Sequence, residues 1–138
     1  MKSRSKFVAA IGVWCLLIVL TPLLVERAPL GSVFLYLFFS PICHQIPERS
    51  FFFFGHQLPV CARCTGIYFG ALLGSFFAQK KAPPRLFLIA ALIPLVLDGG
   101  TQLFFRESIN VLRLGTGLLA GFAAIFYVYA GLFNSENE

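Results

Sequence analysis

At 138 residues the chain is long enough for one domain, and its 58% hydrophobic residues, 12% charged residues and mean hydropathy of +0.82 lie outside the composition of soluble domains. The formal charge of +5 does not describe a nucleic-acid-binding surface, because the Lys and Arg residues are scattered between apolar stretches. What the composition implies is an integral membrane protein with lipid as its partner, in which the basic residues act as topology signals.

The first apolar stretch, Phe7 to Val25, follows Lys2, Arg4 and Lys6 and has to be tested as a signal peptide. It is longer than a typical signal core, and the bulky Leu24-Val25-Glu26-Arg27 segment before Ala28-Pro29 is a poor cleavage site. Lipoprotein processing at Cys15 fails because Trp14 precedes it. A retained transmembrane helix is therefore expected.

The connection Glu26 to Leu58 is itself apolar. Its stretch from Leu30 to Ser40 is too short to cross the bilayer and is closed by Pro41, which predicts an interfacial or re-entrant helix. The run Phe51 to Phe54 has the same character, so the loop is expected to lie on the outer leaflet as a lid over the helices.

Three further stretches match the roughly 20 residues of a membrane span: Pro59 to Gln79, Leu86 to Phe105 and Leu114 to Phe133. Lys80, Lys81, Pro83, Pro84 and Arg85 separate the first two of these; Arg106, Glu107 and Asn110 separate the last two. With Lys2, Arg4 and Lys6 inside, two crossings return Lys80, Lys81 and Arg85 to the same side, as the positive-inside bias requires. The expected fold is all-α, a four-helix membrane bundle with one extra apolar segment between helices 1 and 2. It forms a single transmembrane domain over residues 1–138, in the cell membrane with both termini cytoplasmic. Gly66, Gly70 and Gly74 in the second span, and Gly117 and Gly121 in the fourth, recur every fourth residue and predict close helix packing.

Chemistry concentrates in the outer loop. Of four cysteines and two histidines in the chain, three and two fall within the 22 residues from Cys43 to Cys64. Cys61-Ala62-Arg63-Cys64 can place two thiolates on one metal, Cys43 supplies a third, and His44 completes a tetrahedral set typical of zinc, with His56 and Asp98 as alternatives for the fourth position. Cys15, in mid-span, reads as a small apolar residue. A redox pair is the other reading of the cysteines, but three at one surface leave one unpaired.

Asp98 sits inside a span, where a carboxylate costs roughly 2.5–3.5 kcal/mol to insert, so it should face the bundle. Gln102, one turn on, faces the same way. Asp98 is either a structural partner, for example of Arg113, or a general base. Arg49, Arg63 and Arg113 are interfacial anchors or, together, receivers of an anionic headgroup or phosphate. Tyr68 is expected to pack.

The pattern Cys43-His44-Gln45-x-Pro47-x-Arg49-Ser50, Pro59-Val60-Cys61-Ala62-Arg63-Cys64-Thr65-Gly66, Asp98-Gly99-x-Thr101-Gln102 and Arg113-x-x-Thr116-Gly117 resembles a family of small prokaryotic integral membrane proteins. The likeness covers most of the chain from Ser40 onward, and it implies the membrane class and the location of the site. A second, architectural likeness is to bacterial membrane proteins that pass electrons from thiols to quinone, which also place a Cys-x-x-Cys pair at the outer entrance of a helix. The second cysteine pair of that relay is missing here. The leading expectation is a zinc-binding membrane protein with a polar pocket of Asp98, Gln102, Arg49 and Arg113 for a lipid-borne or small anionic substrate. A quinone-coupled thiol-disulfide oxidoreductase and a transporter or channel component are its rivals.

Overall fold

The computed structural model describes residues 2–104 and 108–134. Helix α1 covers Lys2–Arg27 and a single bent residue, Ala28, separates it from α2, Pro29–Phe39. A 3-10 turn at Pro47–Arg49 leads into strands β1, Ser50–Phe53, and β2, His56–Cys61, and then into helices α3, Ala62–Ser75, α4, Arg85–Phe104, and α5, Asn110–Asn134. Phe105, the expected end of the third span, and the connecting Arg106 and Glu107 lie outside the described residues.

Among the described residues, three helices are long and apolar enough to cross a membrane: α1 from Arg4 to Arg27, α4, and α5 to Phe133. The expected span Pro59–Gln79 is built differently. Its first residues continue β2, and the helix that follows has 14 residues, about 21 Å of rise against a hydrocarbon core of about 30 Å. The physical reason is non-local, since Cys61 pairs with Ser50 across the sheet and so stays extended. Cys61 then serves as N-cap of α3, its sulfur accepting the Cys64 amide at 3.5 Å.

The short apolar segment after α1 is the 11-residue α2, too short to span, as its length and Pro41 imply. The Phe51–Phe54 run is not a helix but the first arm of a two-stranded antiparallel hairpin, so the fold is not purely all-α. Phe54 and Gly55 form its two-residue turn with φ of 51° and 81°, the left-handed pair of a type I′ turn. Aromatic residues suit a half-buried pleated strand, which here outweighs interfacial helix formation.

Contacts fix the helix directions. Gly66 faces Leu114, Gly117 and Leu118, Gly70 faces Leu118, and Gly74 faces Phe122 and Ile125, so α3 and α5 lie side by side and run the same way. A Cβ built on Gly66, Gly70, Gly117 or Gly121 would collide with facing backbone, the close approach that small residues permit between membrane helices. Helix α1 runs the opposite way: Phe7 packs edge-on against Tyr129 and Phe133, and the Cys15 thiol donates to Tyr68 O at 3.5 Å. At the start of α4, Tyr127 donates to Pro84 O at 2.8 Å and Phe87 meets Phe126. Helix α3 thus joins the same two ends of the bundle as its longer neighbours. Along α4 the large apolar side chains Leu86, Ile89, Ile93, Val96, Leu97 and Leu103 are exposed while Asp98 is buried, the inversion expected of a lipid-facing helix.

Candidate metal centre

The hairpin brings the cysteines together. Cys43 follows α2, its amide still bonded to Phe39 O at 3.0 Å; Cys61 ends β2; Cys64 lies in the first turn of α3. One ligand atom from each lies within 4.8 Å of the others. Cys43 and Cys61 are both 6% exposed, in an apolar nest of Ile18, Phe39, Leu58 and Val60.

Local polar contacts hold this geometry. The Cys61 amide donates to Cys43 Sγ at 3.1 Å, and Thr65 Oγ1 donates to Cys61 O at 3.0 Å. Gln45, held at a positive φ of 49°, spends its amide on Tyr36 O at 2.8 Å and Pro59 O at 2.9 Å. The Gln57 amide donates back to Gln45 O at 2.8 Å and to Ser50 Oγ at 3.2 Å, and the Tyr36 hydroxyl donates to Gln57 O. These bonds lock the Cys43 loop onto β2. Gln45 and Gln57 have no distinguishing spacing in the sequence; the positive φ and the pairing that make them matter are three-dimensional.

Hydrogen bonds from the Cys61 and Cys64 thiols, aided by the Gln45 and Cys61 amides, hold the Cys43 thiol well below the ordinary thiol range against the opposing effect of burial. Around a tetrahedral zinc with Zn–S near 2.3 Å, neighbouring sulfurs stand about 3.8 Å apart. The three cysteines therefore need only a small contraction to hold a metal ion, and their soft donor set suits zinc.

None of the residues expected to complete the set joins it. His44 is exposed beside buried Cys43. His56 faces Glu26 at 3.6 Å, and Asp98 is engaged by Arg63. Adjacent residues on an extended turn project to opposite sides, which is why His44 and Cys43 separate. Among the described residues the ligand set is three thiols.

A second polar cluster stands where α3, α4 and α5 begin or end at this side. Arg63 Nη2 lies 2.7 Å from Asp98 Oδ2, and Gln102 Nε2 donates to the same oxygen at 3.0 Å. The Asp98 side chain is 3% exposed and that of Arg63 27%. Asp98 and Gln102 are together as expected, but the cation bonded to the carboxylate is Arg63, from within the Cys-x-x-Cys segment, and not Arg113. Arg113 is buried on α5 and donates to Asn110 Oδ1 at 2.9 Å, while Asn110 reaches Ser50 O at 3.3 Å. That bridge ties α5 to β1. Arg49 is half-buried in the turn before β1 and is not bonded to Asp98.

Residues 43–127 match a family described as predicted membrane protein (DUF2085), a range containing both clusters. An uncharacterized protein of Methanocaldococcus jannaschii is 52% identical over 105 residues, covering 70% of this chain and 67% of the relative. An uncharacterized protein of Methanothermobacter thermautotrophicus is 53% identical over 89 residues, covering 60% of this chain and 80% of the relative. No solved structure matches the chain.

Proposed function

Because the chain belongs to the DUF2085 family of predicted membrane proteins, we propose that it is a multi-pass membrane protein whose Cys43, Cys61 and Cys64 hold a zinc ion at the outer face. The observation that carries this reading is the convergence of three thiols within 4.8 Å from two chain segments that are 18 residues apart at their nearest ligands. Zinc bound there staples the loop after α2 to the first turn of α3, and its binding free energy becomes folding free energy.

In this reading α3 is the second of four crossings, since it joins the ends of the bundle that α1, α4 and α5 also join. The gathering of Arg4, Lys6, Lys80, Lys81 and Arg85 at one end supports both termini being cytoplasmic by the positive-inside bias. The thiols and Asp98 are then exoplasmic. Asp98, Gln102 and Arg63, with Arg49 and Arg113 near them, serve a lipid-borne or small anionic substrate, which the guanidiniums recognise.

The test is elemental analysis of the purified protein and of Cys43→Ser, Cys61→Ser, Cys64→Ser, Cys15→Ser and His44→Ala. About one zinc per chain is expected in the parent, in Cys15→Ser and in His44→Ala, with at least a tenfold drop in the three cluster variants. A metal-free parent whose Cys61 and Cys64 cycle between thiol and disulfide would overturn zinc in favour of a thiol oxidoreductase.

A further inference from the structure

At the end of the bundle away from the thiols, the start of α1, the segment leaving α3 and the last part of α5 line an open cavity of about 710 Å³. Its polar wall is Arg4, Ser5, Gln79 and Lys80, and its apolar wall includes Phe76 and Tyr129. The ion pairs among the described residues, His56–Glu26 and Arg63–Asp98, leave Arg4 and Lys80 unmatched. The described carboxylates Glu26, Glu48 and Asp98 all belong to the other end: Glu26 alone is 22 residues along α1 from Arg4, about 33 Å of helix.

We propose that this cavity binds the phosphate headgroup of an anionic membrane phospholipid. Two cations that pair with no described carboxylate, a hydroxyl and an amide offer donors to phosphate oxygens, while the apolar wall accepts the glycerol and upper acyl carbons. A small soluble anion would leave that wall uncovered. Basic pockets between membrane helices on the anionic leaflet are the setting in which such headgroups are held, and each cation there contributes about a fivefold gain in binding. The inference is separate from the metal centre and holds or fails whatever ion the thiols take.

Native mass spectrometry of the whole chain, titrated with dioleoylphosphatidylglycerol or dioleoylphosphatidylcholine, tests it. One phosphatidylglycerol retained in preference to phosphatidylcholine is expected, weakened about 25-fold in Arg4→Gln/Lys80→Gln. Arg4→Lys, which keeps the charge, should bind within about threefold of the parent. Lys81→Gln/Arg85→Gln removes the same charge from the same end but outside the cavity wall and should change binding less than about threefold. Equal weakening by the two double variants would reduce the effect to diffuse surface charge and overturn the site. Equal retention of the two lipids, or complete displacement of phosphatidylglycerol by millimolar inorganic phosphate, would overturn the lipid assignment.

Discussion

Arg63→Gln is expected to destabilise the protein more than Asp98→Asn, although each removes one end of the same ion pair. The asymmetry follows from burial, 3% exposure for the aspartate side chain against 27% for the arginine. Without Arg63 the carboxylate stays buried with Gln102, Ser108 and the charge of Arg113 for company. Breaking a buried pair in this way costs about 3–5 kcal/mol, and the low end, about 3 kcal/mol, applies because Arg113 still acts on the carboxylate. Without Asp98 the guanidinium can extend to the headgroup region on its long stem. The loss is then a charge-assisted hydrogen bond of about 1.5–3 kcal/mol, offset by relief of a carboxylate insertion cost of about 2.5–3.5 kcal/mol, so the net cost is at most about 0.5 kcal/mol. Unfolding in mixed micelles, followed by the fluorescence of Trp14, the single tryptophan of the chain, measures both variants and the double. The double variant should recover at least about 1.5 kcal/mol relative to the sum of the singles. Equal single costs, or additivity within about 0.5 kcal/mol, would refute the reasoning.

Because its neighbours' thiols hold the Cys43 thiol below the ordinary range, zinc binding at neutral pH should release fewer than three protons from the cluster; calorimetry in buffers of different ionisation enthalpy counts them. Gly121→Ala would drive a methyl into the Ile67 backbone and should destabilise the fold by about 1–3 kcal/mol, whereas Gly115→Ala, on the same helix with nothing within 4 Å, should be neutral or gain about 0.5–1 kcal/mol in the same unfolding assay.

How far the sequence alone reaches depends on whether a feature is local. The long helices α1, α4 and α5 are written in continuous apolar stretches bounded by charge, and the glycine repeats in α3 and α5 mark the faces that meet. Residues Pro59 to Cys61 are apolar too, but hydropathy does not separate a buried strand from the start of a span; the pairing of Ser50 with Cys61 decides, and it joins residues 11 apart. The chain does carry a turn signal in Phe54-Gly55, weakened because Phe stands where Asn or Asp is usual in a type I′ turn. For the thiols, spacing is a good guide: Cys-x-x-Cys on a helix start brings two sulfurs together by local geometry alone, and Cys43 completes the group through the Gln45 and Gln57 bonds. The neighbour relation of Arg63 and Asp98 has no local trace, since it depends on where α4 settles beside α3.

Arg63 belongs to both clusters, and charge balance follows from its position. Three thiolates around a divalent ion carry one net negative charge. Asp98 adds a second negative charge, and the guanidiniums of Arg63 and of buried Arg113 supply two positive ones at the same end of the bundle. On the proposed reading this polar group is neutral with a divalent ion bound, so the loaded site needs no countercharge from the membrane interface. A monovalent ion on three thiolates would carry two negative charges and a trivalent ion none, and either would break the balance. On the proposed reading, the charges of Arg63, Arg113 and Asp98 favour a divalent ion on Cys43, Cys61 and Cys64, in line with the softness of their sulfurs.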